Sequence, residues 1–375
     1  MTIGIDASRA NKSQKTGTEW YSFHLIEELK KIDSPNRFVL YSREELRGEL
    51  GQLPTNFESK VLKWPPKFLW TQVRLSWEML VRPPDVLFVP AHTVPILGRV
   101  KRVVTIHDVG FRVYPELYSW VDILYHRFSV WFASRFAYKI ICVSEFTKGE
   151  LIKYYHTDPK KVTVIPLGVK DPNFLKQAKT SPFPLLMRRG LEGVPGLNNQ
   201  NPFLLFIGRL EKKKNILGIL KAFNALREKF PTLRLVLAGL PGHGFAEIEN
   251  YLRDQKLWDF VEIRGYITEI EKQELYRGAC AFVFPTFYEG FGMPILEAQS
   301  LGCPVVTSKY GATAEVAKNS ALLVDPQEPV EIAGACSKLI EDESLRESLI
   351  AAGLENVKQY TWASTAQKTY PLLLN

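Results

Sequence analysis

A chain of 375 residues, 46% hydrophobic, 12% aromatic and 23% charged, is too apolar to be disordered and long enough for about two domains with separate cores. Its 24 Gly and 24 Pro exclude collagen-like and Gly/Pro low-complexity chains. The net charge of +8 is uneven: residues 1–171 hold 25 Lys/Arg against 18 Asp/Glu, and residues 172–375 hold 23 against 22, so the two halves are expected to meet different partners.

In chain order, residues 2–6, 37–41, 85–89, 102–107, 139–143 and 162–165 read as strands of a first half. Residues 203–208, 233–238, 260–263, 281–284, 304–307 and 321–324 read as strands of a second. They are rich in Val, Ile and Phe without alternation, the pattern of parallel strands covered on both faces. Stretches such as 19–31, 218–230, 269–277 and 293–301 lie between them and read as helices, the last three with apolar residues three and four apart. Strand and helix alternating in this way, twice over, predict an α/β protein of two doubly wound domains. The first is expected at residues 1–171 and the second at 172–361. Residues 171–202, with five prolines, form a hinge that is too long for a bare linker. Cys142, Cys280, Cys303 and Cys336 are too far apart for a CxxC site and read as buried thiols of a reducing compartment. Residues 1–20 lack a targeting pattern and no run of 18 apolar residues occurs, so a soluble, cytoplasmic protein is expected.

Ligands of doubly wound sheets bind beyond the carboxyl ends of the strands, often with phosphate at a helix N-terminus. After the first strand, residues 6–18 end in Gly17-Thr18. Either the Gly17 backbone approaches an anion, or this is a plain turn with Thr18 as N-cap. His107-Asp108 follows the strand at 102–106; His107 lines a cleft or is a satisfied buried imidazole, and Asp108 is its neighbour or a cap. Four cations fall within residues 209–214, at a strand-to-helix junction suited to a diphosphate. The GxxxxGK[ST] frame of a Walker loop is missing, and Lys212 and Lys213 read as a solvated turn. The most specific segment is 284–298. A strand ends, Gly290 and Gly292 make a turn, Pro294 opens a helix, and Glu289 and Glu297 bracket its start.

Glu289–Glu297 resembles the E-x7-E element of the retaining glycosyltransferases of family 4 (glycosyl transferase group 1). Gly208-Arg209-Leu210 with Lys214-Asn215 is similar to that family's diphosphate element. Val143-Ser144-Glu145-Phe146-Thr147-Lys148, Val164-Ile165-Pro166-Leu167-Gly168 and Leu323-Val324-Asp325-Pro326 also match, and Thr105-Ile106-His107-Asp108 resembles bacterial mannosyltransferases of polysaccharide assembly. In two respects the chain departs from the pattern: Gly17 is not followed by a second glycine, and residues 179–201 match no family element.

The resemblance implies a GT-B fold, two Rossmann-like domains facing each other across a cleft, with a helix from about Trp362 crossing back onto the first domain. It implies that Gly17, Arg209 and Lys214 hold the donor diphosphate and that Glu297 accepts from the ribose. Glu289 and the amides of Gly290, Phe291, Gly292 and Met293 hold the sugar, His107 reaches it from the first domain, and Tyr266 and Ile267 are candidates for the base pocket. The implied reaction is retaining hexosyl transfer, with GDP-mannose favoured, to a glycan or lipid-linked glycan. No cofactor beyond the nucleotide-sugar co-substrate is expected. Nor is a metal, because two cations face the leaving group and no DxD-type pair is present; Asp122 and Asp171 are isolated. One-face transfer and a covalent intermediate both remain open.

Other readings are a nucleotide-sugar epimerase or hydrolase of the same architecture, a phosphorylase, for which no pyridoxal lysine signature exists, and a nucleic-acid-binding protein, for which no motif appears. No nucleic acid partner is therefore expected. Eight aromatics lie within residues 118–138, interleaved with Arg127, Arg135 and Lys139. Tyr125, Phe128, Phe132 and Phe136 recur at helical spacing and form either a core face or a membrane face. Trp120 and Trp131 fall off that stripe, and residues 64–82 add Trp70, Arg74 and Trp77. Peripheral attachment of the first domain to an anionic membrane, on the inner face of the plasma membrane, is expected.

Overall fold

The computed structural model describes residues 1–13, 15–65, 69–169 and 201–374. The expected hinge at 172–202 and the unmatched residues 179–201 lie outside the described residues, apart from 201 and 202. The chain divides into two units, Met1–Gly168 with Tyr360–Asn375, and Val169–Gln359.

Unit 1 is built on β1 (Thr2–Asp6), β2 (Arg37–Ser42), β3 (Phe57–Val61), β4 (Val86–Val89), β5 (Lys101–Ile106), β6 (Lys139–Cys142) and β7 (Val162–Val164). They pair in parallel in the order β3-β2-β1-β4-β5-β6-β7. The interior strand β1 sets Ile3 beside Phe38 of β2 and Val86 of β4. Ile3, Ile5, Leu40, Phe88, Val103 and Val104 are fully buried, each contributing roughly 1.5–3 kcal/mol of hydrophobic stabilisation. Strand order reverses between β1 and β4, which makes that point the topological switch of the sheet. β3 has no counterpart among the expected strands. Its sequence, FESKV, carries two apolar residues, and it is an edge strand paired only with β2.

The helices of unit 1 are α1 (Gly17–Leu29), α2 (Ser76–Val81), α3 (Gly110–Val113), α4 (Trp120–Phe136) and α5 (Glu145–Tyr155). The expected aromatic stripe on α4 divides. Val130, Ala133, Ser129 and Ser134 are the residues it buries, because small side chains let the helix lie close to the sheet. Phe132 is partly buried against the core, whereas Trp120, Leu124, Phe128 and Trp131 are exposed. These four recur at four, four and three, so they share one face. Arg127 and Arg135 project from the same exposed side of the helix. Val73, Trp77 and Leu80 are exposed at similar spacing. Trp70, expected with them, is instead a core residue whose Nε1 donates to the Leu62 carbonyl at 2.9 Å.

Unit 2 holds β8 (Phe203–Ile207), β9 (Arg234–Ala238), β10 (Val261–Arg264), β11 (Ala281–Phe284), β12 (Val305–Ser308) and β13 (Leu322–Val324). All pairs are parallel, in the order β10-β9-β8-β11-β12-β13, so its switch point lies between β8 and β11. Its helices are α6 (Ile216–Lys229), α7 (Phe245–Asp254), α8 (Glu269–Gly278), α9 (Met293–Ser300), α10 (Gly311–Ala317), α11 (Pro329–Glu341) and α12 (Glu343–Val357).

The last helix, α13 (Trp362–Thr369), belongs to unit 1. Thr361 caps it by accepting from the Ser364 amide at 3.1 Å. The Trp362 ring lies 6.0 Å from Tyr21 and 5.2 Å from His24 of α1. A β-carbon at Gly168 would stand 2.1 Å from the Trp362 nitrogen, so this crossing requires glycine there. Three of the four cysteines are buried thiols as expected; Cys280 is half-buried.

Candidate active site

The switch point of unit 2 is assembled by two segments that lock together. After β8, residues 212–214 form one 3-10 turn and Asn215 adopts a left-handed conformation, φ 59°. The Asn215 side chain accepts from the Gly218 amide at 3.2 Å, capping α6, and donates to the carbonyls of Pro285 at 3.1 Å and Pro326 at 2.5 Å. From the loop after β11, the Thr286 hydroxyl and the Phe287 amide each donate to the Lys213 carbonyl at 2.9 Å. Asparagine thus serves a structural purpose in the Lys214-Asn215 pair: it fixes the turn from which Lys214 projects.

The result is an ion pair between the Lys214 ammonium and the Glu289 carboxylate. Their side chains are only 14% and 17% exposed, and the ammonium sits 5.5 Å above the Phe284 ring. Arg209, on the same connection, is 67% exposed, with Nε 3.9 Å from Glu211. Lys213 also approaches Glu211, at 3.5 Å, and is largely covered rather than solvated. Gly292 has φ +105° and precedes the first turn of α9, with Pro294 in that turn. A side chain at this position would be strained. Gly290, Phe291, Gly292 and Met293 therefore lead from Glu289 into the start of α9.

Glu297, one turn into α9, accepts from Lys272 at 3.1 Å and from the Tyr276 hydroxyl at 3.4 Å. Both partners come from α8, and the sequence reading missed them. They lie four residues apart, so they share a helix face, but nothing local says that this face meets α9. Burial disfavours the charged form of Lys272, yet Glu297 and Glu269 outweigh it and raise its pKa. Burial and the Glu297 charge push the Tyr276 phenol well up. Lys272 and Tyr276 thus stay protonated and hold the carboxylate of Glu297 in place. Tyr266 and Ile267 lie between β10 and α8; Tyr266 is 68% exposed and Ile267 half-buried.

The remaining candidates belong to unit 1. Gly17 is the first residue of α1 and exposed; a β-carbon there would meet nothing within 4 Å, so packing within the unit does not demand glycine. The cap of α1 is Thr16, not Thr18: Glu19 accepts from the Thr16 amide at 3.2 Å in a capping box. His107 meets the Pro90 carbonyl at 3.1 Å through Nε2 and packs edge-on against Tyr21 at 4.7 Å. A carbonyl only accepts, so Nε2 carries the proton and Nδ1 is an acceptor. Burial lowers its pKa against the Pro90 bond and Asp108, which keeps the ring neutral. Asp108 acts as a cap, accepting from the Gly110 amide at 2.8 Å. Among the described residues, no group of three or more His, Cys, Asp or Glu side chains is arranged to hold a metal ion.

Two doubly wound parallel sheets, one with a lysine–carboxylate pair and a glycine-led helix start at its switch point, define a glycosyltransferase of GT-B architecture. The family description "Glycosyl transferases group 1" matches residues 189–356, and "Glycosyltransferase Family 4" matches residues 16–171. The chain is 30% identical to the O-antigen chain mannosyltransferase B of Escherichia coli over 282 residues, 72% of this chain and 69% of that one. The chain therefore belongs to the group 1 glycosyltransferases of family 4. Its fold is similar to that of Anabaena HepE, crystallised in complex with UDP and glucose, with a TM-score of 0.75, 19% identity and coverage of 99% and 98%. It is also similar to that of WaaG, a glycosyltransferase involved in lipopolysaccharide biosynthesis, with a TM-score of 0.72, 16% identity and coverage of 100% and 99%.

Proposed function

We propose that this glycosyltransferase moves a hexosyl residue from a nucleotide sugar to a glycan or lipid-linked glycan, with retention of configuration and no resident metal. The observation that carries this reading is the Lys214–Glu289 pair at the switch point of unit 2, with Arg209 on the same connection. Departure of a nucleoside diphosphate places new negative charge on its phosphates. Fixed cations aimed at that charge lower the barrier without a metal, and such preorganised groups are usually the largest catalytic contribution. Glu297, held by Lys272 and Tyr276, accepts from the ribose hydroxyls. Glu289 and the amides of residues 290–293 hold the sugar, and the backbone at Gly17 approaches the diphosphate. The neutral His107 ring offers Nδ1 to a sugar hydroxyl. Tyr266 and Ile267 flank the base.

Mannose from GDP-mannose is the favoured donor. It is supported by the likeness to a mannosyltransferase of O-antigen assembly; the UDP complex of the Anabaena neighbour makes uridine nucleotides the comparison to run. Calorimetric titration with GDP-mannose, UDP-glucose and UDP-N-acetylglucosamine tests this. Tightest binding of GDP-mannose is expected, and tighter binding of a uridine donor would refute the assignment.

The exposed face of α4 supports a membrane-presented acceptor. Trp120 and Trp131 are 73% and 49% exposed on a helix side that also carries Arg127 and Arg135. Aromatic side chains with a basic surround suit the interface of an anionic bilayer, where each cation contributes on the order of 1 kcal/mol. Among the described residues no helix is long and apolar enough to cross a membrane, so the attachment proposed is peripheral.

A further inference from the structure

His107 follows the last residue of β5, and whatever holds its half-buried ring decides which nitrogen it presents. An imidazole keeps two freedoms that a defined contact cannot tolerate. Its ring can turn by half a revolution about the bond to the β-carbon, and its proton can move between the nitrogens. The Pro90 carbonyl, 3.1 Å from Nε2, favours one tautomer, but only while the ring stays in place. The main chain is tied separately: the Thr147 hydroxyl donates to the His107 carbonyl at 3.4 Å. That bond leaves the ring itself unrestrained.

Tyr21 of α1 supplies the restraint. Thr105 and His107 stand two residues apart along an extended strand, a spacing that sends both side chains to the same side. Tyr21 reaches both. Its hydroxyl lies 3.0 Å from Thr105 Oγ1, and its ring packs on the imidazole at 4.7 Å with the planes at 85°. This is an edge-to-face arrangement of the kind that ring pairs prefer. Tyr21 and Thr105 are fully buried, and burial pushes the phenol up, so it stays protonated. Trp362 backs the Tyr21 ring at 6.0 Å, with the planes at 57°. Trp362 is itself seated firmly. It is 6% exposed and lies against Gly168, and Thr365 of the same helix donates to the Pro166 carbonyl at 2.8 Å.

We propose that Tyr21 is a positioning residue for His107: anchored on Thr105 and backed by Trp362, its ring holds the imidazole with Nε2–H on Pro90 and Nδ1 as the acceptor. The inference deepens the transferase reading of His107 and rests on it for its purpose, but its first readout needs no substrate. The charged and ionisable groups that face His107 are Asp108 beside it, Arg9 after β1, Glu19 on α1 and His92 after β4. Tyr21 adds no charge to this set; it excludes water. A smaller side chain there would admit water, weaken the burial that lowers the His107 pKa, and let it rise toward 6.5.

The test reads His107 in the full chain by NMR of ring-nitrogen-labelled histidine, its signals assigned by their loss in His107→Gln. The unmodified chain should show the Nε2–H tautomer at about pH 7 and titrate below about 6.5. Tyr21→Phe, which keeps the ring, should keep that tautomer and most of the turnover. Tyr21→Leu should mix the tautomers and raise the His107 pKa. Its turnover should fall about tenfold or more, with a smaller change in the Michaelis constant. Because the neutral ring is the active form, the acid limb of its pH–rate profile should move to higher pH. Trp362→Leu should shift tautomer and pKa in the same direction by less, and it serves where Tyr21→Leu does not fold. A folded Tyr21→Leu, or failing that a folded Trp362→Leu, with the parental tautomer and pKa would overturn the inference. So would a Tyr21→Phe as impaired as Tyr21→Leu. His107→Gln separates this result from the parent reading. Parental turnover in that variant would sink the role of His107 at the sugar, whereas an impaired His107→Gln beside a Tyr21→Leu of parental turnover would sink only the positioning.

Discussion

Replacing Lys214 by methionine separates its charge from its packing. The methionine stem can keep the contact with Phe284, above which the ammonium now sits at 5.5 Å, while the cation beside Glu289 disappears. At 14% side-chain exposure water screens this charge poorly, so its effect on a developing diphosphate approaches that of a preorganised buried donor. Removing one such donor costs about 3–4 kcal/mol of transition-state stabilisation, or about 10²–10³ in turnover. Glu289 also loses its cation, and a partly buried carboxylate left alone destabilises the unit; melting temperature is therefore followed alongside activity. Steady-state transfer from a labelled nucleotide sugar should show turnover falling at least about 100-fold, with the Michaelis constant rising less. A variant that is folded and retains more than about a tenth of parental turnover would refute the assignment of Lys214 to the leaving diphosphate.

Glu297→Ala should mainly weaken nucleotide binding and Glu289→Gln mainly slow the chemical step, because ribose contacts are alike in ground and transition state whereas charge at the sugar is not; equal loss of nucleoside diphosphate affinity in the two variants would contradict this. Lys272→Met should reproduce part of the Glu297→Ala defect by releasing the carboxylate, and an unchanged affinity for nucleoside diphosphate would count against that role. Burial alone would raise the Glu19 carboxyl, but hydrogen bonds from Thr16 and Lys12 and the charges of Lys12 and Arg9 hold it at about 2, down from 4.5. That depression corresponds to roughly 3 kcal/mol, present above about pH 4.5 and lost as pH falls through about 2. Glu19→Gln should accordingly reduce hydrogen-exchange protection of α1 at pH 7 and far less at pH 2, and an equal loss at both would sink the explanation. The unmodified chain should float with anionic vesicles at low salt and detach at high salt, and Trp120→Ser with Trp131→Ser should abolish flotation; no binding by the unmodified chain would favour a soluble acceptor.

The strands of both sheets were legible because buried parallel strands are written as unbroken apolar runs. β3 was not, since an edge strand needs little apolar surface and FESKV carries only Phe57 and Val61. Glycine and proline punctuation located Gly292 and Pro294 at the start of α9, and Thr361 announced α13. The cap of α1 was harder to place. Thr16 and Thr18 both precede apolar residues, and only the reach of Glu19 back to Thr16 distinguishes them. On α4 the periodicity was visible but its inward face was not, because the residues it buries are small ones such as Val130 and Ala133, and of the expected aromatic stripe Phe132 packs partly against the core while Phe128 and Phe136 are exposed. Lys272 and Tyr276 depend on which elements meet in space, and no local spacing carries that information.

The most direct measurement incubates the chain with radiolabelled GDP-mannose and a lipid extract, then follows label into acceptor and the anomeric configuration of the bond formed. The account predicts label in a glycan or lipid-linked glycan fraction, retained configuration, and loss of the signal with Lys214→Met. An inverted product, or no transfer from GDP-mannose or any other nucleotide sugar to either lipid-linked or soluble glycan, would contradict it.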